Sequence, residues 1–136
     1  MTQPAPDEIA ALLEEAKAKL FAEREKRIKP FRDEKVITAW NGLALSGLAE
    51  AIKISGNQEY RRVAARTVEF IFSKLFRDGH LLHTYRDGVA KILGYLDDYA
   101  FLAVGLLDLF EATLDRSLLA KTIELTDILM GEFWDD

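Results

Sequence analysis

Gly47-Leu48-Ala49-Glu50-Ala51-Ile52-Lys53-Ile54-Ser55-Gly56-Asn57 returns, 58 positions on, as Gly105-Leu106-Leu107-Asp108-Leu109-Phe110-Glu111-Ala112-Thr113-Leu114-Asp115. Gly-Leu is kept, Glu50 meets Asp108, Ser55 meets Thr113 and Asn57 meets Asp115, all without a gap. Beyond this stretch Glu69 falls on Asp127, Phe76 on Trp134 and Asp78 on Asp136. A fixed period of this kind marks one supersecondary unit stacked on its neighbour.

Working outward, the unit reads as a helix–turn–helix. A helix from about Thr38 to Ser55 carries apolar or small residues nearly all the way round, among them Trp40, Leu43, Leu45, Leu48 and Ile52. Such a helix is expected to be buried among others. Gly56 closes it and Asn57 caps the next. That next helix, about Gln58 to Phe76, sets Tyr60, Val63, Ala64, Thr67, Phe70, Ile71 and Leu75 on one face and charged residues on the other. The second copy repeats the alternation. A helix from about Leu96 to Thr113 is apolar nearly all round, and one from about Ser117 to Phe133 is mixed. Between the copies, Leu81–Tyr85 and Val89–Ile92 flank Asp87-Gly88, a strong signal for a β-hairpin. Upstream, Pro4 and Pro6 end a loose N-terminus. Asp7 is a plausible cap for a first helix that has Ile9, Leu12, Leu13, Ala16 and Leu20 on one face, runs to about Arg27 and is stopped by Pro30.

The fold class expected is therefore all-α. It is an αα-hairpin array of about five helices with one short β-hairpin, in a single segment spanning 1–136 with residues 1–6 flexible. Half-wet outer helices and apolar inner helices alternate, so the array either curves into a toroid or stacks as a solenoid. The second unit ends where the first enters its hairpin. Further chain or self-association is expected to cover the open inner-helix surface.

The 136 residues suffice for one domain, and a hydrophobic content of 49% excludes a disordered chain. A net charge of -5 argues against general nucleic-acid binding. Cysteine is absent, which excludes disulfides, a thiol nucleophile and thiolate metal sites. Met1–Asp7 does not read as a secretory signal, and the longest apolar run, Tyr99–Leu107, is too short to span a bilayer. A soluble protein of a reducing compartment, the cytoplasm, is the expectation.

Three stretches resemble a known family: Asp33-Glu34-Lys35-Val36-Ile37-Thr38-Ala39-Trp40-Asn41-Gly42-Leu43; Tyr85-Arg86-Asp87-Gly88 followed by Gly94-Tyr95-Leu96-Asp97-Asp98-Tyr99-Ala100-Phe101-Leu102; and Gly105-Leu106-Leu107-Asp108-Leu109-Phe110-Glu111-Ala112-Thr113. Together, over about residues 8–136, they resemble the C-terminal region of the spermatogenesis-associated protein twenty family. That resemblance implies part of an (α/α)6 toroid, similar to those of N-acylglucosamine 2-epimerases and six-hairpin glycosidases. The thioredoxin-like domain of that family and the remainder of the toroid have no counterpart here. The catalytic histidines of the epimerases are not matched, so no catalytic residue carries over. Any epimerase- or glycosidase-like activity would belong to a longer protein.

Trp40-Asn41 opens one inner helix and Asp97-Asp98-Tyr99 the next, with Trp40 on Asp98 and Asn41 on Tyr99 in the self-alignment. Both clusters are expected at one end of the bundle, where toroids of the resembling class hold a sugar. Trp40 and Tyr99 would stack on a ring, and Asn41, Asp97 and Asp98 would bond to hydroxyls. The alternative is structural: aspartates at a helix start are ordinary caps and a tryptophan there is ordinary core. Adjacent aspartates on a helix point about 100° apart, a poor geometry for the facing carboxylates of glycoside hydrolysis. His83 shares a hairpin face with Leu81 and Tyr85, so His83 and Tyr85 are candidates to touch a ligand. No third group at metal-site spacing accompanies His80 and His83, so neither metal nor cofactor is expected. The basic stretch Arg24–Lys35 reads as a solvated helix end and connector. Gly42, Gly47 and Gly105 read as close helix packing. The functional expectation is a segment of a carbohydrate-binding or carbohydrate-processing toroid. The alternative is a non-catalytic helical scaffold or self-associating module.

Overall fold

The computed structural model describes residues 5–135. The expectations for residues 1–4 and the match of Asp78 to Asp136 lie outside the described residues. Among the described residues there are five helices: α1 (Pro6–Glu25), α2 (Thr38–Ser55), α3 (Gln58–Lys74), α4 (Leu96–Thr113) and α5 (Arg116–Phe133). Four short strands join them: β1 (Val36–Ile37), β2 (Phe76–Arg77), β3 (His80–Arg86) and β4 (Val89–Leu93). This is the mostly α-helical fold with a β-hairpin that the sequence implies. The chain divides into two compact units, one ending at Asp33 and the other starting at Glu34.

The first unit is built on α1. Pro6 is its first helical residue rather than part of a loose lead, as suits a ring that fixes φ and lacks an N–H. Ala5 takes the cap position, and its N–H donates to the Glu8 carboxylate at 3.1 Å. Asp7, expected as the cap, therefore lies inside the first turn. The helix stops at Glu25, short of Arg27, and buries none of its residues.

In the second unit the repeat is visible bond by bond. Ser55 Oγ donates to the Ala51 carbonyl at 2.6 Å, and Thr113 Oγ1 donates to the Leu109 carbonyl at 2.7 Å. The Asn57 side chain accepts the Glu59 N–H at 2.8 Å, and Asp115 accepts the Ser117 N–H at 2.9 Å. Gly56 and Leu114 both end their helices in the left-handed region, at φ 62° and 59°. Glycine adopts that conformation freely, whereas leucine holds it at a steric cost.

The two inner helices run parallel and in register. Ala39 meets Asp98 at one end, and Lys53 meets Glu111 at the other. What lets them approach is the absence of two side chains. A Cβ at Gly42 would lie 2.5 Å from the Phe101 carbonyl, and one at Gly105 would lie 2.3 Å from the Gly42 oxygen. Gly47 differs from the expectation, because a Cβ there would meet nothing within 4 Å. The core is closed by Leu45, Ile52, Leu102 and Leu106 from the inner helices, with Ile71 of α3 and Leu125 of α5.

The inner helices are not buried all round, as their composition had implied. Trp40 and Leu43 of α2, and Phe101, Val104 and Leu107 of α4, are exposed. Each inner helix buries the side toward its partner and leaves apolar surface open. On α3 the buried positions are Ala64, Val68 and Ile71, so Tyr60 and Val63, expected in the core face, stay exposed.

The hairpin belongs to a larger antiparallel sheet. β3 is central; it pairs with β4 along its length, with β1 at Thr84 and Tyr85, and with β2 at His80 and Leu81. Asp87-Gly88 forms the expected turn, with both residues at positive φ. Asp78-Gly79, also at positive φ, makes a second such turn between β2 and β3. β1 and β2 were not anticipated.

Gly105→Ala should destabilise the fold by about 1–3 kcal/mol, through overpacking against backbone that cannot rotate away. Gly47→Ala should stabilise it by about 0.5–1 kcal/mol, through helix propensity alone. Urea unfolding of the two variants checks this. Equal effects would mean that the close approach at Gly105 does not hold α2 against α4.

Candidate functional site

Because α2 and α4 are parallel, their N-termini lie together, and β3 passes beside both. Asp98, wholly buried, joins the three segments. Its Oδ1 accepts the Ala39 N–H at 2.8 Å, one of the N–H groups that the first turn of α2 leaves unpaired. Its Oδ2 accepts the Tyr95 N–H at 2.9 Å, which caps α4, and lies 2.8 Å from His83 Nδ1 on β3. The carboxylate thus serves the starts of two helices, where the peptide dipoles favour negative charge.

Neighbouring bonds fasten the same junction. Thr38 Oγ1 donates to the Leu82 carbonyl at 2.6 Å. The Leu81 N–H donates to Tyr99 Oη at 2.8 Å, and the Gly94 N–H to the Leu81 carbonyl at 2.7 Å. Tyr99 is buried against the ring of Phe133, at 5.6 Å between centroids. Burial pushes its phenol above the ordinary value. The Leu81 N–H opposes that shift, and the charges of Glu132 and Asp98 add to it.

Alternation along β3 sends Leu81, His83 and Tyr85 to one face. Leu81 enters the core, while Tyr85 packs edge-on against Phe70 of α3 at 5.1 Å. Between them His83 lies against the ring of Tyr95 at 4.8 Å and borders a cleft of about 500 Å³. Ile37, Val89, Ile92 and Tyr95 give this cleft apolar walls; His83, Thr84 and Lys91 give it polar groups. Among the described residues no buried side-chain nitrogen or oxygen lacks a partner. Among the described residues His83 Nε2 has no hydrogen-bond partner, so that atom is not buried.

Comparison with curated proteins finds relatives over most of the chain. Spermatogenesis-associated protein 20 of Rattus norvegicus is 36% identical over 137 aligned residues, and that of Homo sapiens is 34% identical. Both alignments cover 93% of this chain. The chain is homologous to one stretch of spermatogenesis-associated protein 20. It spans 17% of the length of these two relatives. An uncharacterized protein of Caenorhabditis elegans is 34% identical over 90% of the chain and 18% of its own length. No family model matches. The name spermatogenesis-associated protein 20 states neither ligand nor reaction.

Within this homologue of spermatogenesis-associated protein 20, the candidate residues share one end of the unit but do not line one surface. His83 alone of the seven borders the cleft. Asp98 and Tyr99 are buried and bonded within the protein. Asn41 donates to the Ile37 carbonyl at 2.8 Å and borders a separate groove of about 620 Å³ with Phe70 and Arg66. Tyr85 is engaged with Phe70, while Trp40 and Asp97 are exposed at the two helix starts. Tyr95, Ile37, Lys91 and Ile92 were not singled out from the sequence. The signal for Tyr95 was its place three residues before Asp98, the spacing of a reciprocal helix cap. Among the described residues no group of three or more His, Cys, Asp or Glu could hold a metal. No helix there is long and apolar enough to cross a membrane.

Tyr99 generates a pH prediction. Its phenol titrates higher when folded, so the unfolded chain loses its proton first and stability falls as pH rises past about 10. Tyr99→Phe should flatten that alkaline fall. At neutral pH it should cost about 1–3 kcal/mol, because the buried Leu81 N–H loses its acceptor. Denaturant titrations from neutral to alkaline pH read both effects. An unaltered alkaline slope would assign it to other groups.

Proposed function

We propose that this segment is an arc of an α/α toroid and contributes a carbohydrate-binding surface where α2 and α4 begin. The observation that carries this reading is the composition of the cleft beside that end. Tyr95, 54% exposed, offers a ring face next to the aliphatic walls of Ile37 and Ile92. His83, Thr84 and Lys91 supply polar atoms around it. Sugars present apolar C–H faces and a rim of hydroxyls, and that combination suits an aromatic platform with a few polar groups. Trp40, 67% exposed at the corresponding start of α2, is a second platform at the same end. The reading is one of binding. Asp98, a carboxylate considered for sugar chemistry, is committed to backbone donors and His83.

The test is a saccharide titration of the full chain followed by NMR, using glucose, N-acetylglucosamine and maltose. Saturable shifts at Tyr95 are expected, together with at least about a fivefold loss of affinity in Tyr95→Ala, since a stacked ring contributes upward of about 1 kcal/mol. Tyr95→Ala keeps the backbone N–H that bonds Asp98, so the helix cap survives it. No saturable shift with any of the three sugars would remove the carbohydrate reading.

A second reading has its own observation. The open apolar surface on α2 and α4, with Leu43, Val104 and Leu107 at its centre, suits coverage by the rest of a longer protein or by a second copy. In the scaffold reading the isolated chain self-associates, and Val104→Glu returns it to monomer in sedimentation velocity. A monomer at every concentration would leave coverage by a second copy without support.

A further inference from the structure

Building on the carbohydrate reading, the geometry points to His83 as a hydrogen-bond acceptor of the cleft, held in that role by Asp98 as a positioning residue. An ionised carboxylate has no proton to give, and Asp98 already accepts the N–H groups of Ala39 and Tyr95. Its contact of 2.8 Å with His83 Nδ1 therefore requires Nδ1 to carry the proton and donate it. In a neutral imidazole the other nitrogen then carries a lone pair. That nitrogen, Nε2, is the unburied ring nitrogen of a residue that borders the cleft.

Ring position is held as firmly as ring protonation. Tyr95 lies against one side of the imidazole, and the β3 backbone fixes its origin through the pairing of Leu82 with Leu93 and of Thr84 with Lys91. Asp98 cannot turn away, because two helix starts depend on it. The charged groups bordering the cleft with His83 are Lys35, Arg86, Asp87 and Lys91; the Arg86 guanidinium donates to Asp87 at 3.1 Å. Lys35, Arg86 and Lys91 only donate; the Asp87 carboxylate and the Thr84 hydroxyl are further acceptors, the first bonded to Arg86 and the second bonded to the Lys91 carbonyl at 3.4 Å. A ligand hydroxyl entering between Tyr95 and Ile37 thus meets an acceptor at His83, and a ligand lacking a donor at that place leaves Nε2 unpaired. The selected class is a ligand with a hydroxyl close to an apolar face, as in a pyranose.

The experiment uses the full chain labelled with nitrogen-15, with His80 as internal comparison. Long-range nitrogen–proton spectra at mildly alkaline pH should show His83 protonated at Nδ1 and bare at Nε2. Diethyl pyrocarbonate, which is attacked by an imidazole lone pair, should carbethoxylate His83 in the folded chain. The opposite tautomer, or an unreactive His83, overturns the assignment. With N-acetylglucosamine as probe, the His83 Nε2 resonance should shift and carbethoxylation should slow, while His80 is unmoved. If the sugar shifts Tyr95 but leaves Nε2 in place, the acceptor role is wrong and carbohydrate binding stands. If the tautomer and reactivity are as described but none of the sugars binds, the acceptor stands and the carbohydrate reading fails. Asp98→Asn, where it folds, should lose the fixed tautomer. His83→Gln should lose the carbethoxylation at that position and lower the melting temperature, because the buried Asp98 carboxylate loses its imidazole donor.

Discussion

A buried carboxylate is tolerable only when its lone pairs are taken, and the second unit is organised so that those of Asp98 are. Three donors from three segments converge on it: the Ala39 N–H of α2, the Tyr95 N–H ahead of α4 and the His83 imidazole of β3. Dehydrating a lone carboxylate costs several kcal/mol. Two backbone N–H bonds to an ionised acceptor, each at the start of a helix, offset much of that cost. The exchange is mutual. Without the carboxylate, two N–H groups in a dry junction would lose their acceptor, at about 1–3 kcal/mol each. Asp98 therefore sets which helix starts lie together and where β3 crosses them.

That junction needs α2 and α4 to run the same way at short distance, and the glycines make this possible. Parallel neighbours bring no favourable pairing of helix ends of their own, because like dipole ends sit side by side. The Gly42–Gly105 approach supplies dispersion contact between backbones, and Asp98 supplies negative charge at the end where two positive dipole ends meet. At the other end Lys53 and Glu111 pair across the interface at 3.4 Å. Both are partly exposed, so this contact contributes little beyond register.

Most of the secondary structure was legible in the sequence, because its determinants are local. Apolar periodicity, Gly56, Asn57 and Asp115 mark α2 to α5 closely, and Asp87-Gly88 marks the hairpin. What was not legible depends on partners far along the chain. Asp97 and Asp98 look alike as helix-start carboxylates, yet Asp97 is exposed and Asp98 is buried. The difference is the 59-residue reach from Asp98 to the Ala39 N–H. The self-alignment concealed it as well, since Trp40 occupies the matching place in α2 and cannot accept such a bond. Gly47 shows the same limit in reverse. It has the sequence context of Gly105 and lacks the packed neighbour. Asp78-Gly79 carried the turn signal of Asp87-Gly88, but its strands are too short to read from periodicity.

The cleft and the junction share Tyr95 and His83, and the sharing divides their atoms between two tasks. Tyr95 gives its backbone N–H to Asp98 and its ring to the cleft. His83 gives Nδ1 to Asp98 and leaves Nε2 outward. The atoms that hold the fold are thus distinct from those left for the cleft, even within one residue. Ile92 and Lys91 stand on β4, clear of the Asp98 bonds, so substitution there changes the shape and charge of the cleft without loosening either helix start. The lining of the cleft can therefore change through β4 while the junction around Asp98 stays constant. On the proposed carbohydrate reading, ligand preference would be set by side chains on the hairpin, and the two inner helices would carry the frame.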